Sequence, residues 1–285
     1  MLLRPNAKIN LGLNIVSRRP DGYHNLETVF LPVPVCDTLQ IERDDTLSSV
    51  VFTAADGLIL DCPDSDNIIV RLYERLQKKY ALGGVRIRLS KHIPFGAGLG
   101  GGSSDAACAA MALNDLFCLG LSKEQLKKEV SPLGADCAFF IENRPCYATG
   151  IGDILQPIDL SLNGYELLLV KPDGVSVNTK TAYQGIVPQR PAFPLLQALQ
   201  LPVEQWKGLV VNDFERSVFK AFPLVADIKQ RLYDAGAVYA AMSGSGAAVF
   251  GLFRQGVLSE SLAFSNCFTA RMTLSTTPQR DPIDH

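Results

Sequence analysis

The chain predicts an α+β protein of two domains, and three observations carry that expectation. Apolar and polar residues alternate in several stretches, as in strands. Alanine-rich or 3.6-spaced stretches between them read as helices. The two kinds intermix without a strict strand-helix-strand period, which argues against a doubly wound parallel sheet. At 285 residues the chain is long for one core and comfortable for two, with the boundary expected near residue 155, giving 1–155 and 156–285.

Residues 7–16 (AKINLGLNIV) set Ile9, Leu11, Leu13 and Ile15 on one face and Lys8, Asn10, Gly12 and Asn14 on the other, the pattern of a half-buried strand. Asp21-Gly22 marks a turn, and Glu27–Val35 reads as a second strand. Residues 66–80 carry helical spacing, with Asp66-Asn67 placed to cap it, and 85–90 alternate again. Pro94 ends that strand and opens a glycine-rich loop. Ser104 to Phe117 follows as an alanine-rich helix, apolar nearly all round and therefore buried. Ser122 heads a helix as N-cap, with Gln125 completing a capping box. Gly164–Val170 is a strand; 184–202 is proline-rich and reads as irregular. The last third reads helix 223–235, strand 237–242, glycine turn, strand 247–253, helix 257–265 and strand 267–274.

The formal net charge is −2, so the chain lacks the broad positive field that non-specific nucleic-acid binding requires. Cysteines 36, 62, 108, 118, 137, 146 and 267 form an odd set without a C-x-x-C pair, which suits buried thiols in a reducing cytosol better than disulfides or zinc. No stretch approaches the roughly 18 apolar residues of a membrane span. The expectation is a soluble cytoplasmic protein, monomeric or homodimeric.

The sharpest feature is Pro94-Phe95-Gly96-Ala97-Gly98-Leu99-Gly100-Gly101-Gly102-Ser103-Ser104-Asp105. Its five glycines leave successive backbone N–H groups uncovered, and the helix behind points its positive end at the same spot. Such a concavity suits a polyphosphate. Ser103 or Ser104 offers a hydroxyl to a phosphate oxygen or a magnesium ion; Asp105 reads as a favourable first-turn acid. Gly96-x-Gly98-x-x-Gly101 matches a dinucleotide fingerprint, yet the acid wanted about 20 residues later is missing from Leu116-Phe117-Cys118-Leu119-Gly120-Leu121. A P-loop needs Gly-Lys-Ser/Thr, and no Gly-Lys pair occurs.

Three collinear segments resemble the signatures of the GHMP kinases: Pro5-Asn6-Ala7-Lys8-Ile9-Asn10-Leu11, the glycine loop, and Met242-Ser243-Gly244-Ser245-Gly246-Ala247-Ala248. Further segments are similar to the branch that acts on a cytidine-diphosphate methylerythritol: Arg19-Pro20-Asp21-Gly22-Tyr23-His24-Asn25-Leu26, Leu133-Gly134-Ala135-Asp136 and Gly150-Ile151-Gly152-Asp153. The resemblance implies an N-terminal ATP-binding domain, a C-terminal ferredoxin-like domain and an active site in the cleft between them. It implies transfer of the ATP γ-phosphate, with Mg²⁺, to the 2-hydroxyl of that alcohol. By the same resemblance Asp136 is the general base and Lys8 stabilises the attacking oxygen. Pro94, Gly96, Ala97, Gly98, Leu99, Gly100, Gly101, Gly102, Ser103 and Ser104 hold ATP, with Asn67 near the adenine. Asn10, Tyr23, His24, Thr179 and Tyr183 bind the acceptor, with His24 hydrogen-bonding the cytosine edge, Tyr23 lining its pocket and Tyr183 stacking on the base, and the 243–246 turn supports the phosphate loop. No role follows for Asp153. Asp105 departs from a frequent asparagine. Taken alone, Asp136 has a second, lesser reading as a cap for Cys137–Ile141, and the Lys8 face reads as a solvent face. A homoserine- or mevalonate-type kinase, a silent sensor of the same fold and a nucleotide-binding oxidoreductase are the competing readings.

Overall fold

The computed structural model describes residues 1–55, 66–183, 185–274 and the backbone pair 283–284. Cys62 lies outside the described residues. In the first half the chain forms β1 (Leu2–Leu3), β2 (Asn6–Arg18), β3 (His24–Cys36), β4 (Thr38–Arg43), β5 (Val50–Ala54), α1 (Ile68–Tyr80) and β6 (Val85–Ser90). It continues through α2 (Gly101–Leu116), α3 (Lys123–Val130), α4 (Cys137–Glu142), β7 (Cys146–Thr149) and β8 (Ile154–Pro157). The second half supplies β9 (Tyr165–Pro172), α5 (Thr179–Ala182), α6 (Leu195–Ala198), α7 (Glu215–Ala221) and α8 (Pro223–Asp234). It closes with β10 (Tyr239–Met242), β11 (Val249–Arg254), β12 (Cys267–Thr273) and β13 (Ile283–Asp284).

Among the described residues three sheets result, ordered β13-β1-β4-β6-β5, β2-β3-β7-β8 and β10-β11-β9-β12. Helix α2 is buried between the first sheet and α1: Ala106, Ala109, Ala110 and Leu113 pack with Ile69, Leu72, Leu39 and Ile87. Its alanines permit that close approach, since a helix without long side chains on any face can be enclosed. The capping box at α3 forms as its sequence predicts, with both Ser122 and Gln125 engaged.

The third sheet is antiparallel, with α7 and α8 between its first two strands, in the strand order of a ferredoxin-like unit. Its second helix is missing. The helix expected over 257–265 is irregular, because Ser259 and Ser261 hydroxyls bond each other and Arg271 takes the carbonyls of Ser259, Glu260 and Leu262. The proline-rich stretch is not wholly irregular either. It holds α6 and runs beside β2, where Gln189 N donates to Ile15 O at 2.9 Å.

Two further expectations are corrected here. Strand β2 is buried on both faces, with Lys8, Asn10 and Asn14 at 3%, 2% and 4% exposure, so the polar face does not meet solvent. The reason is tertiary: its apolar face, Ala7, Ile9 and Leu11, joins Val29 and Leu31 against Leu167, Leu169, Ala241 and Phe250 of the third sheet, while the polar face lines a cavity. Helix α2 begins at Gly101 instead of Ser104. Gly100, at φ 72°, makes the left-handed turn into it and needs no side-chain cap. The expected division near residue 155 falls inside β8, and the chain passes to the third sheet after Pro157.

Candidate active site

A cavity of ≈ 410 Å³ lies where β2, β3, the glycine loop, the start of α4 and the 244–246 turn meet. In the glycine loop Gly96, Gly98 and Gly100 have φ of 57°, 73° and 72°, alternating with residues of ordinary hand. That alternation turns successive amides to one side, and Gly101 and Gly102 add the unpaired N–H groups of the first turn of α2. Pro94, Gly96, Ala97, Gly98, Leu99, Gly100, Gly101 and Gly102 all line the cavity.

The loop is clamped from two sides. Lys8 N donates to Leu99 O at 2.9 Å, from β2. From the third sheet, Ser243 Oγ donates to Gly98 O at 2.9 Å, while Ala247 N and Ala248 N donate to Gly96 O and Ala97 O. The approach is close enough that a Cβ on Gly98 would lie 2.1 Å from Ser243 O. The turn itself is held by a residue that sequence reasoning did not single out. Buried Asn212 donates from Nδ2 to Met242 O and to Gly244 O, each at 2.8 Å, and accepts Phe214 N at Oδ1. Asn212→Ala leaves both carbonyls without a donor. It is expected to lower the unfolding free energy by about 1–3 kcal/mol, read as a lower urea midpoint at unchanged m.

Across the cavity, Lys8 Nζ stands 3.2 Å from Asp136 Oδ2 and donates to Asn10 Oδ1 at 2.7 Å, over the Phe30 ring. The Lys8 side chain is 4% exposed and that of Asp136 is 28%, so the pair is sealed on the lysine side and open on the carboxylate side. Asp136 precedes α4 without making a capping bond, which disposes of the capping alternative.

The aromatic residues are arranged otherwise than a base sandwich requires. His24 and Tyr183 stack directly on each other, centroids 4.7 Å apart and planes at 18°, with Phe214 edge-on to Tyr183. Rings at that separation are in contact, with no room for a base between them. Burial, assisted by Arg18, holds the His24 imidazole below its ordinary pKa, and burial raises that of the Tyr183 phenol. Tyr23 is 62% exposed. Thr179 lines the cavity, its hydroxyl 3.5 Å from that of Ser245.

Tyr23, His24, Asn67, Ser103 and Ser104 are not among the lining residues. Asn67 caps α1 through Oδ1 on Ile69 N at 2.9 Å. Ser104 is 1% exposed and its hydroxyl has no partner, turned into the helix packing and away from the cavity. Asp105 is no first-turn surface acid. It is buried, accepts Lys91 Nζ at 2.8 Å beside Asp37, and burial pushes its carboxyl up to about 7, with Lys91 opposing. Asp37 also accepts His92 N at 2.6 Å and Ile93 N at 2.8 Å, fixing the approach to the loop. Asp153, for which no role was foreseen, accepts Ile151 N at 3.1 Å and shapes the turn that brings Ile151 and Gly152 to the cavity.

The family described as GHMP kinases N terminal domain matches residues 67–144, and that described as GHMP kinases C terminal matches 196–263. A 4-diphosphocytidyl-2-C-methyl-D-erythritol kinase of Parabacteroides distasonis is 49% identical over 94% of this chain and 97% of its own length. One of Bacteroides fragilis is 51% identical over 89% and 92%. Among solved structures, a 4-(cytidine 5'-diphospho)-2C-methyl-D-erythritol kinase is 34% identical and superposes with a TM-score of 0.74, covering 88% of this chain and 90% of that one. A mevalonate kinase superposes at 0.69 with 13% identity, a likeness of fold. On the identity along nearly the whole length of those relatives, the chain belongs to the 4-diphosphocytidyl-2-C-methyl-D-erythritol kinases, a branch of the GHMP kinases.

Proposed function

We propose that this chain transfers the γ-phosphoryl group of ATP to the 2-hydroxyl of 4-diphosphocytidyl-2-C-methyl-D-erythritol, as a soluble cytoplasmic enzyme. The observation that carries the reading is the 3.2 Å Lys8–Asp136 pair facing the glycine loop across one cavity. The loop amides and the start of α2 hold the ATP phosphates; the acceptor hydroxyl sits against Asp136. Its oxygen attacks the γ-phosphorus, the bond to the β–γ bridging oxygen breaks, ADP leaves, and the hydroxyl proton passes to Asp136. Lys8 neutralises charge gathering on the attacking oxygen. Positioning and charge neutralisation are what phosphoryl transfer chiefly demands.

Mg²⁺ supplies charge neutralisation at the phosphates when bound. Among the described residues there is no group of three His, Cys, Asp or Glu able to hold a metal ion. An ion at the phosphates would be carried mainly by nucleotide oxygens and water, because Ser103, in the first turn of α2, does not line the cavity. The cytosine is received by Tyr183, His24, Tyr23 and Thr179. Since His24 and Tyr183 occupy each other's faces, the base stacks between them only by displacing His24.

The test is ADP release with Mg-ATP and the cytidine-diphosphate alcohol, with CMP competing against the alcohol and not against ATP. Turnover on homoserine or mevalonate instead would move the assignment to another kinase of the fold. ATP binding with no ADP under any acceptor would make the chain a silent binder.

A further inference from the structure

We infer that Thr28 is a positioning residue for the reaction, setting the orientation of the Asn10 amide and through it the place of the Lys8 ammonium. The inference rests on the kinase reading above. Thr28 is 1% exposed, lies on β3 at the cavity wall, and belongs to none of the sequence signatures.

Four groups form one chain. Lys8 Nζ donates to Asn10 Oδ1 at 2.7 Å; Asn10 Nδ2 donates to Thr28 Oγ1 at 2.8 Å; Thr28 Oγ1 donates to Gly12 O at 2.5 Å. Both ends fix its direction. An ammonium only donates and a carbonyl only accepts, so the hydroxyl between must give its proton to Gly12 and receive the amide of Asn10. The oxygen of Asn10 is then left for Lys8 and for no other orientation. An asparagine amide has nearly the same shape either way round, and its neighbours decide which end faces which. Without the Thr28 hydroxyl, the NH₂ end could face Lys8, donor against donor, and the ammonium would lose one of the two acceptors that hold it.

The backbone has been shaped for this. The pairing of β2 with β3 slips at Gly12, between Leu11↔Val29 and Leu13↔Thr28. The slip leaves Gly12 unpaired at φ 67°, with its carbonyl turned onto the Thr28 hydroxyl. A side chain there would be strained by the positive φ, and its Cβ, 2.6 Å from Leu195 Cδ1, would force that leucine to shift.

Thr28→Val keeps the shape and removes the hydroxyl; Thr28→Ser keeps the hydroxyl and removes a methyl. The valine variant should lose about 10- to 100-fold in kcat, the size of effect that misplacing a reacting group produces, with KM for ATP and for the alcohol within about twofold. The serine variant should recover most of kcat. In an Asn10→Ala background the valine change should add less than about twofold, since the relay is already cut. A crystal structure of Thr28→Val should show Asn10 Oδ1 gone from Lys8. Equal kcat in wild type and Thr28→Val, equal loss in the valine and serine variants, or an unmoved Asn10 in the crystal would each overturn the proposal. A wild-type protein that turns over no acceptor would instead overturn the kinase reading, while the crystal would still decide the relay.

Discussion

Asp136→Asn should lower kcat by ~100- to 10,000-fold, the usual worth of general-base assistance, while KM for ATP stays within a few-fold of wild type. The amide has the volume of the carboxyl and keeps an oxygen for the Lys8 ammonium at 3.2 Å, so packing and folding are preserved. What is lost is a group able to take the acceptor's proton. Asp136 makes no capping bond to α4, so no helix stability is confounded with the chemistry. Single-turnover measurements with saturating Mg-ATP would separate this from a change in product release. Turnover within threefold of wild type would remove Asp136 from the base role.

Gly98→Ala should come next in severity, through binding instead of chemistry. The new methyl would stand 2.1 Å from Ser243 O, a backbone atom that cannot swing aside, and φ of 73° is itself a cost of about 1–2 kcal/mol for an L-residue. Loop and turn must part, and the bond from Ser243 Oγ to Gly98 O goes with them. Held amides are what the loop offers the nucleotide, so affinity for ATP should fall about 10- to 100-fold, at 1.4 kcal/mol per factor of ten. CMP affinity should be unchanged, because Tyr183 and Phe214 lie elsewhere on the wall. Calorimetric titration with each ligand checks the contrast. Equal loss for both would mean a general disruption, and no loss for either would mean the loop does not carry the phosphates.

Much of this was legible in the sequence wherever the cause is local. The glycine loop, the capping box at Ser122 and the extended strand over residues 7–16 depend on neighbours a few residues away, and all three are present. The features that were not legible depend on distant partners. Burial of Lys8 and Asn10 follows from partners far off in the chain, Asp136 on the lysine and Ser243 and Thr28 on the asparagine. Asp105 is a buried ion-pair member because Lys91 and Asp37, 14 and 68 residues away by the chain, close on it. The helix expected over 257–265 gives way to an arginine on a later strand. Asn212 and Thr28 carry no local signal at all, since each acts on backbone carbonyls contributed by other segments.

The apolar face of β2 and β3 shares one core with β9, β10 and β11. A chain cut after residue 155 would therefore strip Ile9, Leu11, Val29 and Leu31 of their cover, and the strand bearing Lys8 would lose its footing along with them. Turnover and foldedness are thus drawn from the same apolar seam. Substitutions at Leu169 or Phe250, neither of which lines the cavity, should lower affinity for ATP along with stability.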